Sequence, residues 1–162
     1  MKVELRAARA ADAAAIADVL LTSRRIFLPY LASPRSDDEI RDWMRDTVLR
    51  TETLTVAVAG DAVVGFLAVR ERDGITWLTH LYLRPSHVGR GIGSRLLAHA
   101  IAVARRPVRL YTFQQNEGAR RFYERHGFVP IAFGDGSGNE EGRPDVLYEL
   151  ASDSRGIRLT IS

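Results

Sequence analysis

Apolar positions along the chain change period several times, and each change marks an element. Val3 and Leu5 alternate with polar neighbours as a first strand. Ile16, Val19 and Leu20 then recur at three- and four-residue steps inside an Ala-rich stretch, which predicts a helix over residues 11–25. Ser36-Asp37-Asp38-Glu39 is a capping box, and Ile40, Trp43, Met44, Thr47 and Val48 mark the face of the helix it opens. The period then falls to two. Leu54, Val56 and Val58 read as a strand, Gly60-Asp61 as a two-residue hairpin turn, and residues 62–70 as the return strand, with Gly65 as a bulge. Asp73-Gly74 turns the chain again into a strand over 75–84. Helical spacing returns at Ile92, Leu96, Leu97, Ala100, Ile101 and Ala104. A strand over 108–113, a helix opening at Asn116, and strands over 128–133 and 145–150 complete the order βααβββαβαββ. No repeat or linker interrupts it, so residues 1–150 read as a single domain. Residues 151–162 are Ser-rich and then alternate at Ile157, Leu159 and Ile161, as a frayed tail or an extra edge strand would.

Composition narrows the function classes. With 162 residues and 46% hydrophobic content, the chain is long enough for one substantial core. The absence of cysteine excludes disulfides, thiolate metal sites and cysteine nucleophiles, and no metal is expected. No apolar run approaches the ~20 residues that span a bilayer. Met1-Lys2-Val3-Glu4-Leu5 lacks a secretory apolar segment, so the expectation is a cytoplasmic protein with no membrane partner. A net charge of +3 and a pI near 9.7 raise the question of nucleic acid. The arginines are scattered among nearly as many acids, without a basic run, so no nucleic-acid partner is expected.

The stretch from Leu83 to Leu97 carries more chemistry. A strand runs into a loop with glycines at 89, 91 and 93, and that loop opens directly onto an amphipathic helix. Glycines there let the backbone approach a ligand, and the free amides and dipole of the helix start favour an anion such as a pyrophosphate. Arg84, Arg90 and Arg95 add positive charge around the loop. The nucleoside-triphosphate loop requires Gly-Lys-Ser/Thr, and the only lysine is Lys2. A dinucleotide fingerprint puts Ser94 or Leu96 where its third glycine belongs. A second motif lies about twenty residues further on, Asn116-Glu117-Gly118-Ala119-Arg120-Arg121-Phe122-Tyr123-Glu124-Arg125-His126-Gly127-Phe128. Asn116 is a good N-cap, Ala119, Phe122, Tyr123 and His126 share a helix face, and Gly127 is a C-cap glycine.

The spacing Val88-x-x-Gly91-x-Gly93 followed by Asn116-x-x-Ala119-x-x-Phe122-Tyr123-x-x-x-Gly127-Phe128 resembles the GNAT superfamily of acyl-CoA-dependent N-acyltransferases, over nearly the whole chain. Val88 stands where that family has Gln or Arg. The resemblance implies an α/β fold with a central, mostly antiparallel, splayed sheet flanked by about four helices. It implies acetyl-CoA as co-substrate and direct transfer of its acetyl group to a primary amine through a tetrahedral intermediate. Main chain at Leu81, Tyr82 and Leu83 would pair with the pantetheine arm. Amides from Val88 through Gly89, Arg90, Gly91, Ile92 and Gly93 to Ser94 would hold the pyrophosphate, and Asn116 would bond the pantetheine. Tyr123 would reach the thioester sulfur and protonate it. His80 is the candidate base, and by simple alternation it shares a strand face with Leu78 and Tyr82. His87 and His126 read as structural or surface residues. Tyr30, between the first two helices, and Glu140 and Glu141, between the last two strands, would meet the amine acceptor. A different class stays open: a GNAT-like module that binds acyl-CoA without turnover, as a sensor or partner protein. The chain would act as a monomer or homodimer.

Overall fold

The computed structural model describes residues 2–31 and 34–152, so the expectation for the tail beyond 152 lies outside the described residues. Strand β1 (Val3–Ala7) leads through a 3-10 turn, Ala10–Asp12, into helix α1 (Ala13–Phe27). Asp12 fastens this junction by accepting from the Arg9 amide at 2.7 Å and from Arg6 Nη1 at 2.8 Å. The capping box opens α2 (Asp37–Trp43): Ser36 Oγ accepts from the Glu39 amide, and Glu39 Oε1 accepts from the Ser36 amide. A π-helical stretch, Met44–Val48, and a last turn, α3 (Leu49–Thr51), prolong it. Strands β2 (Thr53–Ala59), β3 (Ala62–Arg72) and β4 (Ile75–Leu83) form a meander. Then come α4 (Ile92–Val103), β5 (Val108–Phe113), α5 (Glu117–Arg125), β6 (Val129–Gly134) and β7 (Asp145–Leu150).

The seven strands form one sheet in the order β1-β2-β3-β4-β5-β7-β6, antiparallel everywhere except at β4–β5. That parallel junction follows from the crossover through α4, since parallel neighbours need a long connection. Each sheet face carries its own core. Ile16, Val19 and Leu20 of α1 and Ile40, Met44 and Val48 pack on Val56, Phe66 and Ala68 on one face. Leu96 and Leu97 of α4 and Tyr123 of α5 pack with Leu78, Leu110 and Tyr148 on the other.

Two bulges shape the middle of the sheet. Between β2 and β3 the register passes from Ala57↔Gly65 to Val58↔Val63, which makes Val64 the extra residue, beside the glycine expected to bulge. Gly65 has its own reason to be glycine: a Cβ there would run into Leu83 Cδ2 and stand 3.2 Å from the Tyr82 carbonyl oxygen. Between β3 and β4 the register passes from Ala68↔His80 to Val69↔Leu78, so Thr79 is extra. A bulge bends its strand and reverses the facing of the residues beyond it. Leu78 therefore packs in the α4–α5 layer, while His80 lies 6.1 Å from the Phe66 ring in the α1–α2 layer. Simple alternation had put Leu78, His80 and Tyr82 on one face, and the bulge at Thr79 corrects this. Pairing of β4 with β5 is confined to Thr76↔Val108 and Trp77↔Arg109, and the two strands part beyond it.

Candidate active site

The parting of β4 and β5 leaves a stretch of backbone without a ladder. The Arg84 amide donates to the Val64 carbonyl at 2.8 Å, which sets the phase of hydrogen bonding between β3 and β4. In an antiparallel pair the bonded and non-bonded positions alternate. With the register Phe66↔Tyr82 and Gly65↔Leu83, Tyr82 is turned into the β3 ladder, whereas Leu81 and Leu83 present N–H and C=O toward the gap. Of the three residues expected to pair there, Leu81 and Leu83 hold the position through main chain. Tyr82 contributes its side chain on the opposite face, 5.8 Å from the Phe66 ring.

After β4 the chain makes a 3-10 turn at Pro85–His87 and enters the glycine loop. Gly89 and Gly91 have φ of 80° and 78°, a left-handed backbone that disfavours any side chain. A Cβ at either would meet nothing within 4 Å, so the backbone here borders open space. The Val88 amide turns back to the Pro85 carbonyl at 3.5 Å. The amides from Gly89 to Ser94 have no acceptor among the described residues. Six consecutive unpaired N–H groups at the start of a twelve-residue helix form an anion-binding concavity. The arginines divide differently from their sequence grouping. Arg84 bonds Asp18 at 2.9 Å and the Val63 carbonyl at 2.9 Å, and Arg95 bonds the Val3 carbonyl at 2.9 Å. Arg90 is the loop cation without a partner among the described residues.

Helix α5 packs beside the glycine loop, with the Phe122 ring 3.6 Å from where a Cβ on Gly93 would stand. Asn116 caps it by accepting from the Ala119 amide at 3.2 Å, which leaves the side-chain amide of Asn116 able to donate. Tyr148 anchors the helix, donating to Glu124 Oε2 at 2.6 Å and accepting from Arg120 Nε at 3.0 Å. Tyr123 is buried, with 7% exposure, among Phe122, Phe128 and Tyr148. Its hydroxyl has no hydrogen-bond partner among the described residues, and burial, then the proximity of Tyr82, pushes the phenol well above the usual tyrosine range.

The opposite sheet face carries α1, and the β6–β7 loop joins it through Arg24. His80 stands edge-on to Trp43 at 5.4 Å, and its buried Nδ1 lacks a partner. Burial, then the neighbouring Arg24, pushes its imidazole down to about 4. Arg24 pairs with Glu141 at 2.8 Å, Arg35 with Glu140 at 2.9 Å, and Arg143 donates to the Tyr30 carbonyl at 2.9 Å. Arg143 also lies over the Tyr30 ring, whose hydroxyl is buried without a partner. These contacts tie the loop to the connection between α1 and α2. Beneath the loop is a cavity of about 500 Å³ lined by Tyr111, Phe113, Asp135, Glu141, Asp145 and Leu147, among others. Glu141 reaches this cavity, whereas Glu140, Tyr30, His80 and Tyr123 do not line it. Arg24 was invisible in the sequence, because its partner lies 117 residues away.

The chain's likenesses to known proteins agree with this geometry. The acetyltransferase (GNAT) family matches it over residues 18–128. No curated protein matches it. The PaiA N-acetyltransferase of Thermoplasma acidophilum in complex with coenzyme A shares its fold, with a TM-score of 0.76 and 22% identity, over 94% of this chain and 100% of that one. The yncA protein of Salmonella typhimurium with its cofactor acetyl-CoA gives 0.73 and 21%, over 94% and 95%. Apo YjaB of Escherichia coli gives 0.73 and 23%, over 94% and 100%. No helix among the described residues is long and apolar enough to cross a membrane.

Proposed function

The chain belongs to the GNAT acetyltransferase family, and on that footing we propose that it transfers the acetyl group of acetyl-CoA to a primary amine, of a small molecule or a peptide N-terminus. The observation that carries this reading is the run of unpaired amides from Gly89 to Ser94, set beside the open backbone of Leu81 and Leu83. The residues present fit the co-substrate: open space over Gly89 and Gly91 for a pyrophosphate, strand backbone for a pantetheine arm, and a spare amide on Asn116. Val88, whose amide is already engaged, contributes little beyond shape.

When bound, acetyl-CoA supplies an activated acetyl thioester. The Leu83 N–H, facing the gap, would be the donor to an acetyl oxygen gaining negative charge, and one such donor is worth on the order of 10²–10³ in rate. Tyr123, kept protonated by burial, holds a proton for the leaving sulfur. Asp135 and Asp145 give the acceptor cavity an acidic wall beside the Arg24–Glu141 pair, and Tyr111 and Phe113 give it an aromatic one, which suits an amine.

The base sets the acceptor class. An imidazole pushed to about 4 is neutral at pH 7 but takes up a proton weakly, so His80 serves as a hydrogen-bond acceptor for an amine already neutral. Neutralising a lysine-like amine at pH 7 costs about 4–5 kcal/mol, against about 1 kcal/mol for a peptide α-amine. The site therefore favours acceptors of low basicity or loses the proton to water. The test is thiol release from acetyl-CoA across a panel of α-amino acids, N-terminal peptides, polyamines and aminoglycosides. Release with one class, lost in Tyr123→Phe, supports the enzyme. Acetyl-CoA raising the melting temperature with no release on any acceptor would instead favour the non-catalytic binding module.

A further inference from the structure

We propose that Ser94 and His126 form a proton-linked donor to the cofactor's pyrophosphate, a role that rests on the acetyl-CoA reading above. Ser94 lies in the first turn of α4, among the unpaired amides, and its Oγ is 3.0 Å from His126 Nε2 at the far end of α5. The approach is well supported. The His126 ring packs on Phe122 with centroids 4.8 Å apart. The Phe122 ring in turn lies 3.6 Å from the place a Cβ on Gly93 would take. The second family motif thus delivers a titratable group to the loop of the first.

The hydroxyl has one hydrogen and two possible uses for it. Against an unprotonated Nε2, Ser94 donates to the ring and turns its hydrogen away from the loop. Against an imidazolium, Nε2–H donates to Ser94 Oγ, and the hydroxyl hydrogen is released to a phosphate oxygen. The neutral Nε2–H tautomer frees the same hydrogen without an added proton, but the charge of a bound dianion further favours the imidazolium, so binding draws a proton from solvent onto His126. The charges around it are cationic or already engaged. On its own helix, Arg125 lies over Phe122 at 6.0 Å and Glu124 is taken by Tyr148. On α4, Arg95 is turned to the Val3 carbonyl, and on the loop Arg90 stands as a second cation. His126 has no carboxylate partner among the described residues.

The experiment is calorimetric titration of the full chain with dephospho-CoA between pH 6 and pH 8. That ligand keeps the pyrophosphate but lacks the 3′-phosphate, whose own second ionisation near pH 6 would otherwise intrude. Affinity should rise as pH falls, by about tenfold over the range, the scale of one charge-assisted hydrogen bond. Ser94→Ala should bind more weakly and without the slope. His126→Gln, whose amide can donate at every pH, should also be flat but retain more of the affinity. Tight binding that is independent of pH in the native chain, or a slope that survives in His126→Gln, would overturn the proposal while leaving the acetyl-CoA reading intact. No binding of dephospho-CoA or acetyl-CoA at any pH would overturn both.

Discussion

Removing a single oxygen, by Tyr123→Phe, separates chemistry from packing at this site. The Tyr123 ring is 7% exposed and held by Phe122, Phe128 and Tyr148, contacts that phenylalanine retains. Its hydroxyl has no partner among the described residues, so its loss orphans nothing. Stability should shift by less than about 1 kcal/mol, or roughly 2–4 °C in Tm for a chain of this size. General acid catalysis contributes about 10²–10⁴ in rate. A phenol raised above its ordinary range shares its proton with a departing thiolate rather than surrendering it early, which puts the expected fall in kcat near 10², about 2.7 kcal/mol of barrier. The assay is thiol release at saturating acetyl-CoA and acceptor, with acetyl-CoA affinity measured alongside. A kcat within about threefold of the native value, with Tm unchanged, refutes the role assigned to the hydroxyl. A rise in KM for acetyl-CoA at constant kcat would make it a binding contact instead.

The same geometry yields further expectations. Gly91→Ala places a side chain at φ 78°, costing about 1–2 kcal/mol, and its Cβ enters the open space before the amides. Acetyl-CoA affinity should fall at least about tenfold, more than stability does, as calorimetry beside a melting curve would read. Glu141 and Glu140 should behave differently. Glu141→Gln strips a half-buried Arg24 of its partner and removes charge from the cavity, lowering stability by about 1–3 kcal/mol and raising acceptor KM. Glu140→Gln breaks an exposed pair and should leave both within error of native values. His80 predicts acid sensitivity. Its folded form resists protonation down to about 4, whereas the unfolded histidine takes up a proton near 6.5. Its stabilising contribution is therefore complete above pH 6.5 and lost as pH falls toward 4, at most about 3 kcal/mol in all. The loss of Tm between pH 7.5 and pH 5 should be smaller in His80→Gln, and an equal loss in both proteins would contradict the burial argument.

What the sequence determined by itself was local. Three- and four-residue spacing placed α1, α2, α4 and α5, and the Ser36 capping box formed as written. Period-two stretches separated by Gly60-Asp61 and Asp73-Gly74 marked the meander, because these turns demand the positive φ that Gly60, Asp73 and Gly74 adopt. The glycine loop and the Asn116 helix were legible because their chemistry lies within consecutive residues. Tertiary structure decided whatever depends on two distant segments. The extra residue at Thr79 arises from pairing against β3, and alternation within β4 carries no sign of it, so His80 was rightly grouped with Tyr82 but wrongly with Leu78. Arg24 with Glu141, Arg84 with Asp18 and Ser94 with His126 are separated by 117, 66 and 32 positions. Those pairs took an arginine out of the loop, tied a cavity acid to α1 and brought a histidine to the helix start. Periodicity reports which face a residue prefers; only packing decides what that face meets, because side chains of many sequences satisfy the same period while the partners depend on how layers dock.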